Sequence, residues 1–198
     1  MISDGAAGLV GAIERTMPRS LRQRCLIHRC RNVVAKVPAR AQAEVKAAYW
    51  TIFDVPADVP PGEKAEALVQ QRIQAFAASY HTAYPAAVRC LQQDQQALTV
   101  YLRFPREHWH RIRHSNFIER TFGETRRRVK VIGRLPGETS CTSLVWAVLD
   151  RASRGWRGFT VTTTGTRLLQ DLRRQLLDPP TPIRRHAKQI HQTAADAA

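Results

Sequence analysis

Long apolar runs are missing from this chain, and so are most of the acids that would balance its charge. No stretch of its 198 residues stays apolar long enough to span a bilayer. The opening residues, MISDGAAGL, carry no basic segment ahead of an apolar one, so no secretory signal is expected. Glycine is sparse, and none of it forms a phosphate loop of the P-loop or dinucleotide kind. A Gly-x-Ser-x-Gly elbow is also lacking. ATP-driven and serine-hydrolase chemistry are therefore disfavoured. Cysteine is limited to positions 25, 30, 90 and 141. These are scattered, without the spacing of a disulfide framework, and read as reduced thiols in a cytoplasmic protein.

What is there in excess is positive charge. Lys and Arg number 31 against 16 Asp and Glu, a formal net charge of +15 and a pI near 10.9. Such a surplus favours nucleic acid as partner, ahead of an anionic membrane surface or an RNA-rich assembly. With 43% hydrophobic residues the chain can also bury a core, enough for one domain and a subdomain.

Periodicity and punctuation predict a mainly α chain with a few short strands. A strand end is expected at 1–3, with Asp4-Gly5 closing it, and a second short strand at 24–27. Helices are expected over 8–14, 28–36, 39–53, 63–81, 86–102, 116–131, 140–152 and 166–177. The Pro-rich loop 54–62 separates two of them, Trp156 to Gly158 reads as a turn, and 178–198 reads as a disordered basic tail. A strand as short as 1–3 is not stable alone, so its sheet partners are expected from sequence outside this chain.

The segment 112–135 holds one acid, Glu119, ahead of Arg120, Arg126, Arg127, Arg128 and Lys130. On a helix, Glu119, Gly123, Arg126 and Lys130 share a face, and Ile118, Phe122, Thr125 and Val129 make the apolar one. A carboxylate among cations suits a site that meets a divalent metal and a polyanion together. The plainer reading is a solvated charged face. Asp4, at a strand end before Gly5, is placed as a metal-binding carboxylate or as an ordinary turn residue. Cys25, His28 and Cys30 lack zinc-finger spacing, so a buried Cys25 and a His28 that packs or hydrogen-bonds near the site, flanked by basic residues reaching for phosphate, are preferred over zinc. Trp109, Trp146 and Trp156 suit helix packing better than base stacking, with Trp109 the best stacking candidate of the three.

Several of these residues together resemble a known family. Ser3-Asp4-Gly5 with Gly8-Leu9, Gln23-Arg24-Cys25-x-x-His28-x-x-Arg31-Asn32 and Lys36-Val37-Pro38 are similar to the mutator-type transposases of bacterial insertion sequences. So are Phe104-Pro105, Trp109, Ile112-Arg113, Asn116-x-Ile118-Glu119-Arg120, Glu124-x-Arg126-Arg127-Arg128 and Val131-Ile132-Gly133. The likeness runs from about residue 2 to about residue 175.

The resemblance implies a ribonuclease H-like α/β catalytic domain of the DDE type, interrupted by a helical insertion. Asp4 would be the second metal-binding acid and Glu119 the third, holding two Mg2+ ions, with Mn2+ as a substitute. Arg126 would be the basic residue expected two turns after the Glu. Arg113, Arg120, Arg127, Arg128 and Lys130 would join it on DNA phosphates, with Cys25, His28, Arg31 and Asn116 beside the active site. It divides the chain into a core remnant (1–36), the insertion (37–111), the Glu119 part of the core (112–177) and the tail (178–198). The first acid of the family has no counterpart, so the chain is expected to be the C-terminal portion of a transposase and inactive alone. Its expected partners are transposon ends and target DNA, a second copy or a full-length transposase, and no membrane; its expected place is the cytoplasm, at the nucleoid. A DNA-binding or transposase-associating module without chemistry is the alternative, and a helical RNA- or ribosome-associated protein is a third.

Overall fold

The computed structural model describes residues 1–158 and 160–177, without the side chains of 116–118. The tail predicted over 178–198 lies outside the described residues. Two short stretches near the start pair as parallel strands: β1 (Ile2–Ser3) runs beside β2 (Gln23–Arg24), with Ile2 opposite Gln23 and Ser3 opposite Arg24. Parallel strands need a crossover, and α1 (Ala7–Thr16) provides it. Two further bonds extend the ladder, from Gln23 N–H to Met1 O (2.7 Å) and from Cys25 N–H to Ser3 O (2.8 Å). Among the described residues these are the only strands, and most of the rest is helix, as the periodicity predicts.

The strand expected over 24–27 stops at Arg24. Leu26 and Ile27 instead open α2 (Leu26–Val34), because Leu26, Cys30 and Val33 recur at helical spacing and all three are buried. A short 3-10 turn at Ala39–Ala41 leads into α3 (Gln42–Ile52). The Pro-rich loop ends at Gly62, whose φ of 95° admits glycine readily, and α4 (Glu63–Tyr80) starts there with Glu63 and Glu66 in its first turn.

The single helix expected over 86–102 is broken. α5 (Pro85–Gln92), with proline in its first turn, is followed by Asp94 in the left-handed region (φ 66°), then α6 (Gln95–Thr99) and a 3-10 segment, Val100–Arg103. Two long-range ties hold the break. Arg22 grips the Asp94 carboxylate with two hydrogen bonds of 2.9 and 2.7 Å. The buried Gln23 carboxamide donates to Arg24 O (2.7 Å) and Leu98 O (3.2 Å), and accepts from Tyr101 N–H (2.7 Å). Periodicity cannot register either tie, since both come from residues more than seventy positions away.

α7 (Arg106–Ile112) shows no clear apolar period, because its R-E-H-W-H-R-I composition hides a narrow buried side at His108 and Trp109. Trp109 closes a cluster running from Leu26 through α3, α4 and α5. At its centre Tyr49 is fully buried, and its hydroxyl donates to Leu26 O at 2.9 Å.

Beyond that core lie α8 (Asn116–Ile132), α9 (Glu138–Ser153) and α10 (Thr163–Leu176). α8 packs on α9. The expected apolar face of α8 is corrected here: Phe122 is 49% exposed, while Thr121 and Thr125 are buried. The buried seam keeps Thr125 of the expected face and takes Thr121 in place of Phe122, an i, i+4 pair of threonines. No helix of the described residues is long and apolar enough to cross a membrane.

The Gln23 carboxamide is the least replaceable tie in this arrangement. Gln23→Ala leaves Leu98 O and Tyr101 N–H without their partner, and each buried group so stranded costs about 1–3 kcal/mol. Chemical denaturation is expected to show a loss of roughly 2–5 kcal/mol with little change in m value.

Candidate functional site

The geometry is organised by Cys25, the residue that leaves β2 and caps α2. It is fully buried. Its N–H reaches Ser3 O, and its sulfur accepts the Ser115 N–H at 3.3 Å. Next to it, Leu26 N–H donates to Arg113 O at 3.0 Å. The peptide 113–115 is thereby laid across the start of α2, and α8 begins one residue later.

Glu119 stands in the first turn of α8, where a carboxylate is favoured by the helix dipole. The Ser115 hydroxyl donates to its Oε1. His28 on α2 points Nδ1 at the same oxygen from 3.6 Å, and that nitrogen is buried without a hydrogen-bond partner. A single residue, Cys25, bridges the end of β1 to the segment that holds Glu119. Asp4 follows Ser3 directly. It is exposed, and its Oδ1 accepts the Ala6 N–H (3.0 Å) in a turn that opens α1. Gly5 (φ 84°) completes the turn, and the Arg24 guanidinium lies where a side chain at position 5 would begin, with one nitrogen 0.6 Å from the ideal Cβ position.

The remaining predicted residues are distributed unevenly. Arg31 is exposed on α2, and the Asn116 side chain lies outside the described residues. Arg113 is half-buried with an unpartnered Nε, and gives its carbonyl to α2. Arg120, Arg126 and Lys130 are exposed. Arg127 and Arg128 are engaged by Glu124, the latter at 3.0 Å, and these neighbours hold the Glu124 carboxyl below its ordinary pKa. Cys30 sits in the core. Trp109 does too: it donates to Phe104 O (2.7 Å), stands edge-on to Tyr101, and carries the Arg106 guanidinium 4.5 Å above its ring. Trp109 thus packs in the core, the preferred of its two readings, and is closed to base stacking. Trp146 and Trp156, expected to pack between helices, are 68% and 46% exposed.

In the sequence Ser115 carries no assigned role and Glu124 none beyond its place in the motif, and Arg24 and Arg29 read only as basic residues around His28 that reach for phosphate. Ser115, four residues before Glu119 at a helix start, was readable as a local partner. Glu124 was readable too, since i+3 and i+4 arginines follow it. The burial of Arg24 and Arg29 left no signal in the chain, where they look like two more surface cations.

The profile of the Mutator family of transposases matches residues 1–158, and the chain belongs to that family. The match stops short of α10, which the resemblance had included. Among similar proteins, the transposase of insertion sequence element IST2 from Acidithiobacillus ferrooxidans is 32% identical over 79% of this chain and 50% of its own length. That of IS6120 from Mycolicibacterium smegmatis is 32% identical over 79% of this chain and 46% of its own. That of IS256 in transposon Tn4001 from Staphylococcus aureus is 30% identical over 79% and 38%. The chain thus spans about half or less of the length of these relatives.

The strap 113–115 that leads to Glu119 holds a half-buried imidazole, His114, whose Nδ1 has no hydrogen-bond partner. Burial first, then the nearby Arg113 and His110, push the His114 imidazole below its usual 6.5. The folded state therefore binds that proton less readily than the unfolded chain, so stability present above about pH 6.5 is lost on acidification. Between pH 7.5 and 5.5 the thermal midpoint is expected to fall more for the native chain than for His114→Gln. Equal slopes for the two would rule out His114 as the source.

Proposed function

We propose that this chain carries part of the DNA strand-transfer machinery of an insertion-sequence transposase, within a ribonuclease H-like domain whose sheet extends beyond β1 and β2. Asp4 and Glu119 are assigned as two of its three metal-binding carboxylates. The observation that supports this reading is the Cys25 bridge, which ties the strand end before Asp4 to the strap before Glu119, itself 90 positions after Cys25. Family membership supports it as well.

The donors in hand do not by themselves fit a Mg2+ ion. Among the described residues no group of three or more His, Cys, Asp or Glu is placed to hold a metal. Asp4 is partly satisfied by its own turn, and Glu119 by Ser115. Mg2+ requires near-octahedral oxygen ligation and tolerates little deviation. In this reading two Mg2+ or Mn2+ ions belong to an assembly that brings a further carboxylate, and no metal-dependent step is assigned to this chain alone. Its own share is to present the carboxylates and to position the DNA backbone through Arg120, Arg126 and Lys130, interactions that give affinity without reading sequence.

Incomplete ligation also favours a second reading, a module that binds DNA or joins a longer transposase without chemistry of its own. The two readings part on reconstitution. In either case the chain alone is expected to give no Mg2+-dependent nicking of DNA bearing terminal inverted repeats. Nicking by the chain alone that disappears with Glu119→Ala would reverse the assignment of an incomplete site. Strand transfer restored by adding a transposase polypeptide that supplies the missing acid, and abolished again with Asp4→Ala or Glu119→Ala, is expected under the first reading. Inhibition of that transposase in its place supports the second.

DNA binding should be separable from this. Arg126→Ala with Lys130→Ala is expected to weaken retention on every sequence alike. The slope of log affinity against log salt should become shallower by about 0.9 for each phosphate no longer neutralised. Asp4→Ala and Glu119→Ala should leave that slope unchanged. Filter binding or fluorescence anisotropy across a salt series measures both.

A further inference from the structure

A cleft of about 720 Å³ lies against α1, β2, α2 and the turn between α5 and α6, with Arg22, Arg24, Arg29 and Lys36 among its walls, against Glu14 and Asp94. The two-pronged pairing of Arg22 with Asp94 closes off one cation and one acid. What remains is unusual. Arg24 is 6% exposed and Arg29 is 4% exposed. Arg29 donates through one nitrogen to Cys90, to its carbonyl oxygen at 2.6 Å and to its sulfur at 3.7 Å, and its Nε has no partner. The Nε of Arg24 has none either. Burial, and then Arg29 itself, hold Arg24 below the ordinary arginine pKa, although Asp94 and Asp4 act the other way.

Two buried guanidinium groups that repel one another cost the fold stability. The backbone is nonetheless shaped to keep one of them in place, since Gly5 leaves open the space that the Arg24 guanidinium fills. A tetrahedral anion accounts for both facts. It accepts from the unused N–H groups and removes the like-charge repulsion, and the planar fork of arginine matches two phosphate oxygens at once.

We propose that this cleft is a binding site for a phosphate group, held by Arg24 and Arg29 with Lys36 at the rim. The group comes from free inorganic phosphate or from a nucleic-acid strand, through its 5′ end or its backbone. The proposal goes beyond the strand-transfer reading; only its strand-borne form rests on DNA binding.

The test uses the full chain. Inorganic phosphate is titrated against a chloride control of equal ionic strength, with thermal denaturation and calorimetry as readouts. Short oligodeoxynucleotides with and without a 5′-phosphate are followed by anisotropy. A saturable, phosphate-specific rise in Tm is expected, and Arg24→Gln should weaken binding on the order of tenfold, the effect of removing one charge-assisted hydrogen bond. Arg24→Gln also empties the space beside Gly5 in the β1–α1 turn, so two gentler changes stand beside it. Gln93→Glu adds a carboxylate to the cleft wall at an exposed position. It should raise Tm without phosphate and weaken phosphate binding to a similar degree. Glu14→Gln removes an acid from the wall and should tighten binding.

Oligonucleotide binding that needs the 5′-phosphate and weakens with Gln93→Glu identifies a strand end. Binding that weakens with Gln93→Glu irrespective of the 5′-phosphate identifies the backbone. A response to inorganic phosphate alone identifies the free anion. No saturable phosphate effect, together with oligonucleotide binding unchanged by Gln93→Glu and by a folded Arg24→Gln, overturns the site. Because the phosphate arm involves neither metal nor strand transfer, its failure is distinct from failure of the proposed activity.

Discussion

A parallel ladder of two residues per strand cannot hold itself together, and most of what surrounds the candidate site follows from how this one is secured. Side-chain and backbone groups from other parts of the chain secure it. The Gln23 carboxamide fastens β2 to the segment after α6, and Cys25 converts the end of the ladder into the start of a helix. Register matters more than length here. A slip of one position would exchange the buried Gln23 and Arg24 environments and move Cys25 off Ser3. The strap 113–115 docks onto Cys25 and Leu26, so the placement of Glu119 is inherited from that register.

The charge surplus is not spread evenly as a coat. Part of it is neutralised locally: Arg22 by Asp94, Arg103 by Glu66, Arg127 and Arg128 by Glu124. Part is exposed on α8, where the phosphate backbone of a nucleic acid can reach it. The third part, Arg24 and Arg29, is buried without a carboxylate partner of its own. Solvated cations cost little and screen readily, whereas buried ones must be compensated, so the third group says more about a ligand than the second.

Helices with a clear apolar repeat were legible from the chain, as α3, α4 and α9 illustrate. The break at Asp94 was not, because the Arg22 pair that anchors it joins residues 72 positions apart. α7 was hidden for another reason: a seven-residue helix shows too little of its period for a single Trp-bearing side to stand out. The exposure of Phe122 and Trp146 also went unread, since an apolar residue at helical spacing predicts a covered face and does not say what covers it.

Family, net charge and the helical character were determined by the sequence itself, because motif order, composition and 3.6-residue periodicity are properties of a one-dimensional string. Which oxygen Ser115 and His28 face, which arginines are solvated and which are buried, and where the 86–102 segment bends were decided only in three dimensions. The physical reason is common to all three. Each depends on an interaction between groups brought together by folding, and the free energy of a charge or a polar group is set by those neighbours and by its access to water.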